Sequence, residues 1–537
     1  MKRFLWLGFV LSVYLICSGC GDTFRPIIVP NPPTFPNPRA AHTVVAINDN
    51  GDISVGSAMV IDVSGGSDQS TANVGLAPVH AVQQTVSQVL VVNHSVTGAL
   101  DDSITKLTFN GLTIITNPPP TTITLPANSA PTFIAIAPSD TTAYVTLPGL
   151  VPDPVNFPND NAVGVVNTQS NQLTNTITVG NNPVALAVMP DKTKLYVANF
   201  GDSTISGFNT VDRSPRVISP ATTPAPPVWL VARTDNQRLY VLEQNGALDS
   251  IDTTSAAGPD MLTPSGISVP GATTMVYDSN QNRLYIAGGQ QMKIVGVSQS
   301  APQLLSTIAI PPFALLNPPL VSATAVATAA LPDGSKAYVA SFAVLPSQFN
   351  VSAVSGDGTT ATYAYTLTAG HDLTPGVTVT VTTMTAGFDG TFLVAATLSG
   401  TTACPGTCFQ SPNTTNGAGT AGSGTGSNVF PQVTVVDAKS YQIKSTIAIQ
   451  GFPDATVMAS QYYVPACAST RFRFMMAAGG DSSSAYLSSC DGGNVNIIDT
   501  SIDANNQMLT APIGSRPPIP PSNFNPSQNP IFLFAGP

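Results

Sequence analysis

The chain has 537 residues, of which only 9% are charged, against roughly 25% in an ordinary soluble domain. Gly (43) and Pro (48) are abundant and 43% of the residues are hydrophobic, enough for a large core and too much for wholesale disorder. A net charge of −10 argues against a nucleic-acid partner, whose phosphates want clustered Lys and Arg, and the scarcity of charge with the wealth of turn residues points to short strands rather than long helices.

The chain opens with Lys2 and Arg3, followed by an apolar run from Phe4 to Ile16. Such a run is too short for a transmembrane helix of about 20 residues and reads as a signal peptide. It leads into Cys17-Ser18-Gly19-Cys20. Small residues just before a cysteine resemble a bacterial lipobox, although Cys17 stands where Leu is usual. The resemblance implies removal of residues 1–19, lipidation of Cys20 and anchoring in a bacterial membrane, facing the periplasm or the cell surface. An ordinary secretory signal peptide cut near Gly19 is the alternative. Residues 20–40 carry prolines 26, 30, 32, 33, 36 and 38 and read as a stiff, extended spacer. Without Lys2 and Arg3 the net charge is −12, so acyl chains rather than electrostatics would hold the protein at an anionic bilayer.

From residue 41 onward a phrase recurs: Thr142-Ala-Tyr144-Val145, Lys194-Leu-Tyr196-Val197-Ala198, Arg238-Leu-Tyr240-Val241, Arg283-Leu-Tyr285-Ile286-Ala287 and Lys336-Ala-Tyr338-Val339-Ala340. An apolar stretch precedes each phrase, as in 183–190 and 324–332. A third stretch tends to end in Asp or Asn (162–167, 432–437, 494–499), and a fourth repeats as Thr176–Val179, Thr307–Ile310 and Thr446–Ile449. Four short β-rich stretches per roughly 45 residues describe one propeller blade. The apolar stretch is expected innermost. The Tyr ring should pack between blades with its hydroxyl reaching solvent. The C-terminal 532–537 looks like a first strand with nothing after it, while Thr43–Ile47 and Ala58–Asp62 look like second and third strands with no first. The C-terminus is therefore expected to close the ring, hiding edge strands. Second-strand candidates number eight, but seven blades stay open.

Between Tyr338 and Thr446 the period breaks. Thr360–Thr368, Val377–Val381 and Thr391–Ala395 alternate like half-buried strands, so residues 347–430 read as a small β module inserted between the second and third strands of a blade. Its exit, Asn413 to Asn428, is Gly/Ser/Thr/Asn-rich and is expected to be flexible. The propeller then resumes over 431–537. In an exported chain Cys404, Cys408, Cys467 and Cys490 can form two disulfides, 404–408 with 467–490 being one of three pairings. A metal or haem at Cys404-Pro-Gly-Thr-Cys408 lacks a nearby His.

The tandem phrase, seen as Tyr196-Val197-Ala198-Asn199, resembles the YVTN family of β-propeller repeats over about 40–345 and 430–537. The resemblance implies a seven-bladed disc of the bacterial or archaeal envelope acting mostly as a binding or structural module.

The sequence has no P-loop, H-E-x-x-H, G-x-S-x-G or C-x-x-C-H, and four scattered His do not make a copper site. Asp49-Asn50-Gly51-Asp52 reads as a hairpin turn rather than a calcium loop, 417–426 as linker rather than phosphate cradle, and Trp229 as core. No catalytic residue, metal ligand or cofactor is assigned. Three functions remain open. One is a non-catalytic binding or scaffold protein for a protein or glycan partner of the envelope. Another is a propeller enzyme (lyase, lactonase or quinone-dependent dehydrogenase) with a site at the central pore, its residues gathered from separate blades. The last is a structural envelope or surface-layer component.

Overall fold

The computed structural model describes residues 43–49, 55–62, 67–95, 101–137, 140–149, 161–256, 258–313, 321–370, 372–373, 378–382, 384–402, 404–449, 474–490, 494–501 and 530–535. The signal segment, Cys20, the spacer, the Asn50-Gly51 turn and Cys467 lie outside them. The described residues contain strands and no helix.

Eight antiparallel sheets follow one another along the chain. Blade 4 is representative: Pro183–Val188, Lys194–Asn199, Thr204–Asn209 and Pro215–Arg216 pair in sequence order from the axis outward. The innermost strands of the other blades are Pro78–Thr85 (blade 2), Ile134–Ile136 (blade 3), Pro227–Ala232 (blade 5), Met275–Asp278 (blade 6), Thr324–Ala330 (blade 7) and Phe474–Ala478 (blade 8). Each packs against the innermost strand of the next blade, all the way round. Small side chains fit this crowded inner ring: Ala185, Ala187, Ala325, Ala327 and Ala329 are buried.

Blade 1 is closed by the C-terminus. Pro530–Ala535 pairs with Thr43–Asn48, Val45 opposite Phe534 and Ile47 opposite Phe532, and Val55–Asp62 and Ser67–Leu76 follow outward. The expected closure is present, and the count is eight. Second strands without the tyrosine phrase, Thr43–Asn48 and Gln88–Ser95, complete the number.

The expected inter-blade tyrosines 144, 196, 240, 285 and 338 are all buried, joined by Tyr486 in blade 8. Their hydroxyls do not all reach water as expected. Tyr196 Oη donates to Asp260 Oδ2 at 2.8 Å, and burial pushes the phenol of Tyr240 up to about 12. The Asp or Asn that ends third strands has a local cause. Asn167 Oδ1 accepts the N–H groups of Gln169 and Ser170, and Asp499 Oδ1 accepts the N–H and hydroxyl of Ser501. These side chains close the turn that follows the third strand.

Blades 4 and 5 are clamped near the rim. Arg216 grips Asp260 with two parallel bonds of 2.7 Å, both side chains almost wholly buried. The remaining guanidinium donors go to Asn209 Oδ1 and the carbonyls of Ser255 and Ala256. Between them Ile218–Ser219 adds to Asp260–Ser268 in parallel as a fifth strand.

In blade 7 the second strand, Lys336–Asp357, and the third, Gly422–Asp437, run on past the sheet and stay paired from Lys336↔Asp437 to Val351↔Gly422. The extension carries Thr360–Gly370, Cys404–Pro412 and Ala396–Thr401 on one side and Thr378–Thr382 and Gly390–Leu393 on the other. The sheet encloses its own core of Phe349, Tyr363, Tyr365, Phe388, Val394 and Phe409, with Tyr363 stacked on Phe409 at 4.6 Å. The expectation of a flexible exit over 413–428 is corrected here. Asn416–Gly419 pairs with Val354–Asp357, and 422–428 belongs to the long third strand. The glycines are used for close approach: a Cβ on Gly424 would lie 2.3 Å from the Phe349 ring, and one on Gly419 2.5 Å from Val354.

Removing one member of a buried ion pair leaves an uncompensated charge. Asp260→Asn is expected to lower unfolding stability by about 3 kcal/mol in urea titration, whereas Arg216→Met with Asp260→Leu costs far less.

Candidate functional site

Three places on the disc carry side chains that the repeat alone does not require: the axis, the start of the blade 5 hairpin, and the blade 7 extension.

At the axis, aromatic rings from separate blades meet. His80 (blade 2) lies 3.8 Å from Phe133, which precedes the inner strand of blade 3, and 4.8 Å from Phe532 of blade 1. Trp229 of blade 5 packs edge-on against Phe133 at 5.3 Å and lies 6.5 Å from His80. Blade 5 is neighbour to neither blade 2 nor blade 3, so these contacts span the ring. The backbone N–H of Ile134 donates to His80 Nδ1 at 3.4 Å. Trp229, expected as core, sits in this axial cluster. All four residues lie at or just before the start of an inner strand, the face on which the blade-to-blade connections and the second-to-third hairpins also lie.

On that face each second strand tends to end in a buried polar residue. Asn93 Nδ2 donates to Ser103 and Thr105 at 3.1 and 3.0 Å, and its Oδ1 accepts the N–H of Gly75 at 3.1 Å. Asn199 Nδ2 donates to Thr204 and Ser206, both at 2.9 Å. In blade 5 the equivalent positions are Glu243 and Asp249. Glu243 Oε2 accepts the N–H of Ala225 at 3.1 Å, just as Asn93 accepts that of Gly75. The two carboxyls neighbour one another, and Glu243 Oε1 and Asp249 Oδ2 are buried with no hydrogen-bond partner among the described residues. Glu243 is 0% exposed and Asp249 2%. Burial first, then the neighbouring Asp249 carboxyl, pushes Glu243 up to about 7, and burial raises Asp249. The sequence signal was present but unread: an acid at the Asn position of the phrase Tyr-Val-x-Asn.

The blade 7 extension leaves the disc from the same face, since it prolongs a second-to-third hairpin. It carries an open cleft of about 950 Å³ bordered by Ser352, Ser355, Thr362, Thr366, Thr407 and Asp372. Tyr365 Oη donates to Asp372 Oδ1 at 3.0 Å. A second cleft of about 320 Å³ is bordered by Gln348, Asn350, Thr368, Thr380, Ser423 and Thr425.

Of the cysteines singled out from the sequence, Cys404 and Cys408 are joined by a disulfide, and Pro405, Gly406 and Thr407 between them form a wall of the larger cleft. Cys490 is buried and disulfide-bonded. Among the described residues no three His, Cys, Asp or Glu side chains are grouped to hold a metal ion.

No protein-family model matches the chain, and no curated protein matches it. Solved structures do. Hydrazine synthase from Kuenenia stuttgartiensis is 12% identical over 72% of this chain and 83% of that one, with a TM-score of 0.39. The periplasmic gluconolactonase of Pseudomonas aeruginosa is 14% identical over 56% and 91%, with a TM-score of 0.41. The β-propeller domain of Myceliophteria thermophila Cps50 is 8% identical over 55% and 85%, with a TM-score of 0.37. At these identities the likeness concerns the fold alone.

The acid pair makes stability depend on pH. A carboxyl whose folded value is raised favours its protonated form in the fold. The stability it contributes is complete below its ordinary value near 4.5 and is lost as pH rises toward 7. Glu243→Gln, neutral throughout, is expected to flatten that loss and to raise unfolding stability at pH 8 by roughly 2 kcal/mol relative to the parent, measured by urea titration at pH 5 and pH 8.

Proposed function

We propose that the protein is a non-catalytic binding protein of the bacterial envelope, a propeller of YVTN type anchored through a lipidated Cys20 and presenting its blade 7 module to a partner. One observation carries this reading. The two long strands of blade 7 continue without a break from the disc into a module with its own core and two open clefts. A hairpin paired over that length is a rigid mount, and binding groups held on rigid elements lose less freedom on association than groups on loose loops. The axis, where an enzymatic site of a propeller would be sought, is occupied by His80, Phe133, Trp229 and Phe532 packed on one another.

The test removes the module and keeps the disc. Pro346 and Ser427 face each other in the long hairpin, so residues 347–426 can be replaced by an Asn-Gly turn. The shortened chain is expected to melt cooperatively, as the parent does, and to lose co-sedimentation with isolated cell envelopes. Equal co-sedimentation of the two would refute the module's role.

A further inference from the structure

The two clefts of the blade 7 module adjoin along paired strands, Asn350 of the smaller lying opposite Thr366 of the larger, and together make one track. The strand segment from Gln348 to Ser355 borders both, and so does the neighbouring segment from Thr362 to Thr368. Seven steps at ~3.3 Å give a path of about 23 Å, the length of a short oligomer rather than of a single small molecule.

The chemistry of the track is narrow. Its polar groups are hydroxyls and amides, each of which can both donate and accept. Among the described residues its one carboxylate, Asp372, accepts the Tyr365 hydroxyl, and no Lys, Arg or His borders either cleft. These residues offer an anionic ligand no counter-charge. An added peptide strand would find no free backbone on the central strand. Lys336–Asp357 is paired on one flank with Thr360–Gly370 and on the other with Gly422–Asp437, and Thr360–Tyr365 is itself paired onward to Thr407–Pro412. Strand addition needs an unpaired edge, so recognition along the central strand falls to side chains. Ala353, Ala364, Gly406 and Ala418 keep the floor low. A ligand that satisfies these conditions is long, uncharged and dense in groups that both donate and accept.

We infer that the track binds a linear, uncharged polysaccharide. The inference rests on the reading of the blade 7 module as the binding element and adds the class of ligand. Each exposed hydrogen bond contributes little, so affinity grows with the number of sugars engaged and lies around 10 µM to 1 mM for a filled track.

Affinity electrophoresis of the purified full chain through gels containing dextran, a mixed-linkage β-glucan, soluble starch or polygalacturonate is the test. At least one neutral polymer is expected to retard the protein, and polygalacturonate is not. Asn350→Lys with Thr366→Lys, both on exposed positions of the track, should weaken retardation at least tenfold. Thr178→Lys, exposed on the outer strand of blade 3, should leave it unchanged. The inference falls if no neutral polymer retards the chain, if polygalacturonate retards it more, or if the track variant migrates as the parent does. Loss of envelope binding on removal of the module, with no neutral polymer bound, would overturn the ligand class and leave the module's role standing. Unchanged envelope binding without the module would overturn both.

Discussion

Six residues at the end of the chain hold the ring shut. A propeller blade is hydrophobic on both faces and is stable only between two neighbours. Were Pro530–Ala535 not paired with Thr43–Asn48, blade 1 would lack its innermost strand, and the inner faces toward blades 2 and 8 would be open to water. The sequence of the closing strand meets that demand. Ile531, Phe532 and Leu533 are almost wholly buried, and Phe532 belongs at once to the blade and to the axial cluster with His80. Closure and the filling of the axis are thus one packing event, contributed by opposite ends of the chain.

Within the closed ring, each blade repeats a small set of devices and departs from it in places that can be named. The Asn that ends a second strand ties two hydroxyls of the third strand together, as Asn93 and Asn199 do, and Asn93 also holds the N–H of Gly75 in the incoming chain. Blade 5 keeps the position and changes the chemistry, with two buried neighbouring carboxyls, Glu243 and Asp249, where an amide and a hydroxyl stand elsewhere. Blade 7 keeps the inner strands and prolongs one hairpin. The ring tolerates this because the hairpin end faces outward from the disc, where added chain disturbs no inter-blade contact, and because the extension brings its own aromatic core.

Much of this was legible in the amino-acid order. The recurring tyrosines mark second strands, the lone strand at 532–537 announces closure, and the interruption after Tyr338 locates the extension between a second and a third strand. What was misread has physical causes. The tyrosine hydroxyls were expected in water, but a side chain from the next blade, Asp260 for Tyr196, meets the hydroxyl inside; pairing between blades leaves no periodic trace. The glycines of 416–426 look like a linker by composition, yet Gly424 and Gly419 leave space for the rings of Phe349 and Phe388, which lie some 30 to 75 residues earlier in the chain. The eighth blade is obscured because blades 1 and 2 use Val45 and Leu90 where the others use Tyr. The candidate track was invisible for a different reason. Ser, Thr and Asn alternate throughout this chain, and only the pairing of distant strands shows which of them share a surface.

The dependence of the whole disc on its last strand can be measured directly. A chain ending at residue 529 is compared with the full chain by urea titration, following the emission of Trp229, which lies in the axial cluster. If closure governs the structure, the truncated chain shows no cooperative transition and a red-shifted emission already in water, and a peptide of residues 530–537 added in trans restores part of both. A truncated chain with the same transition midpoint and the same emission would contradict the account.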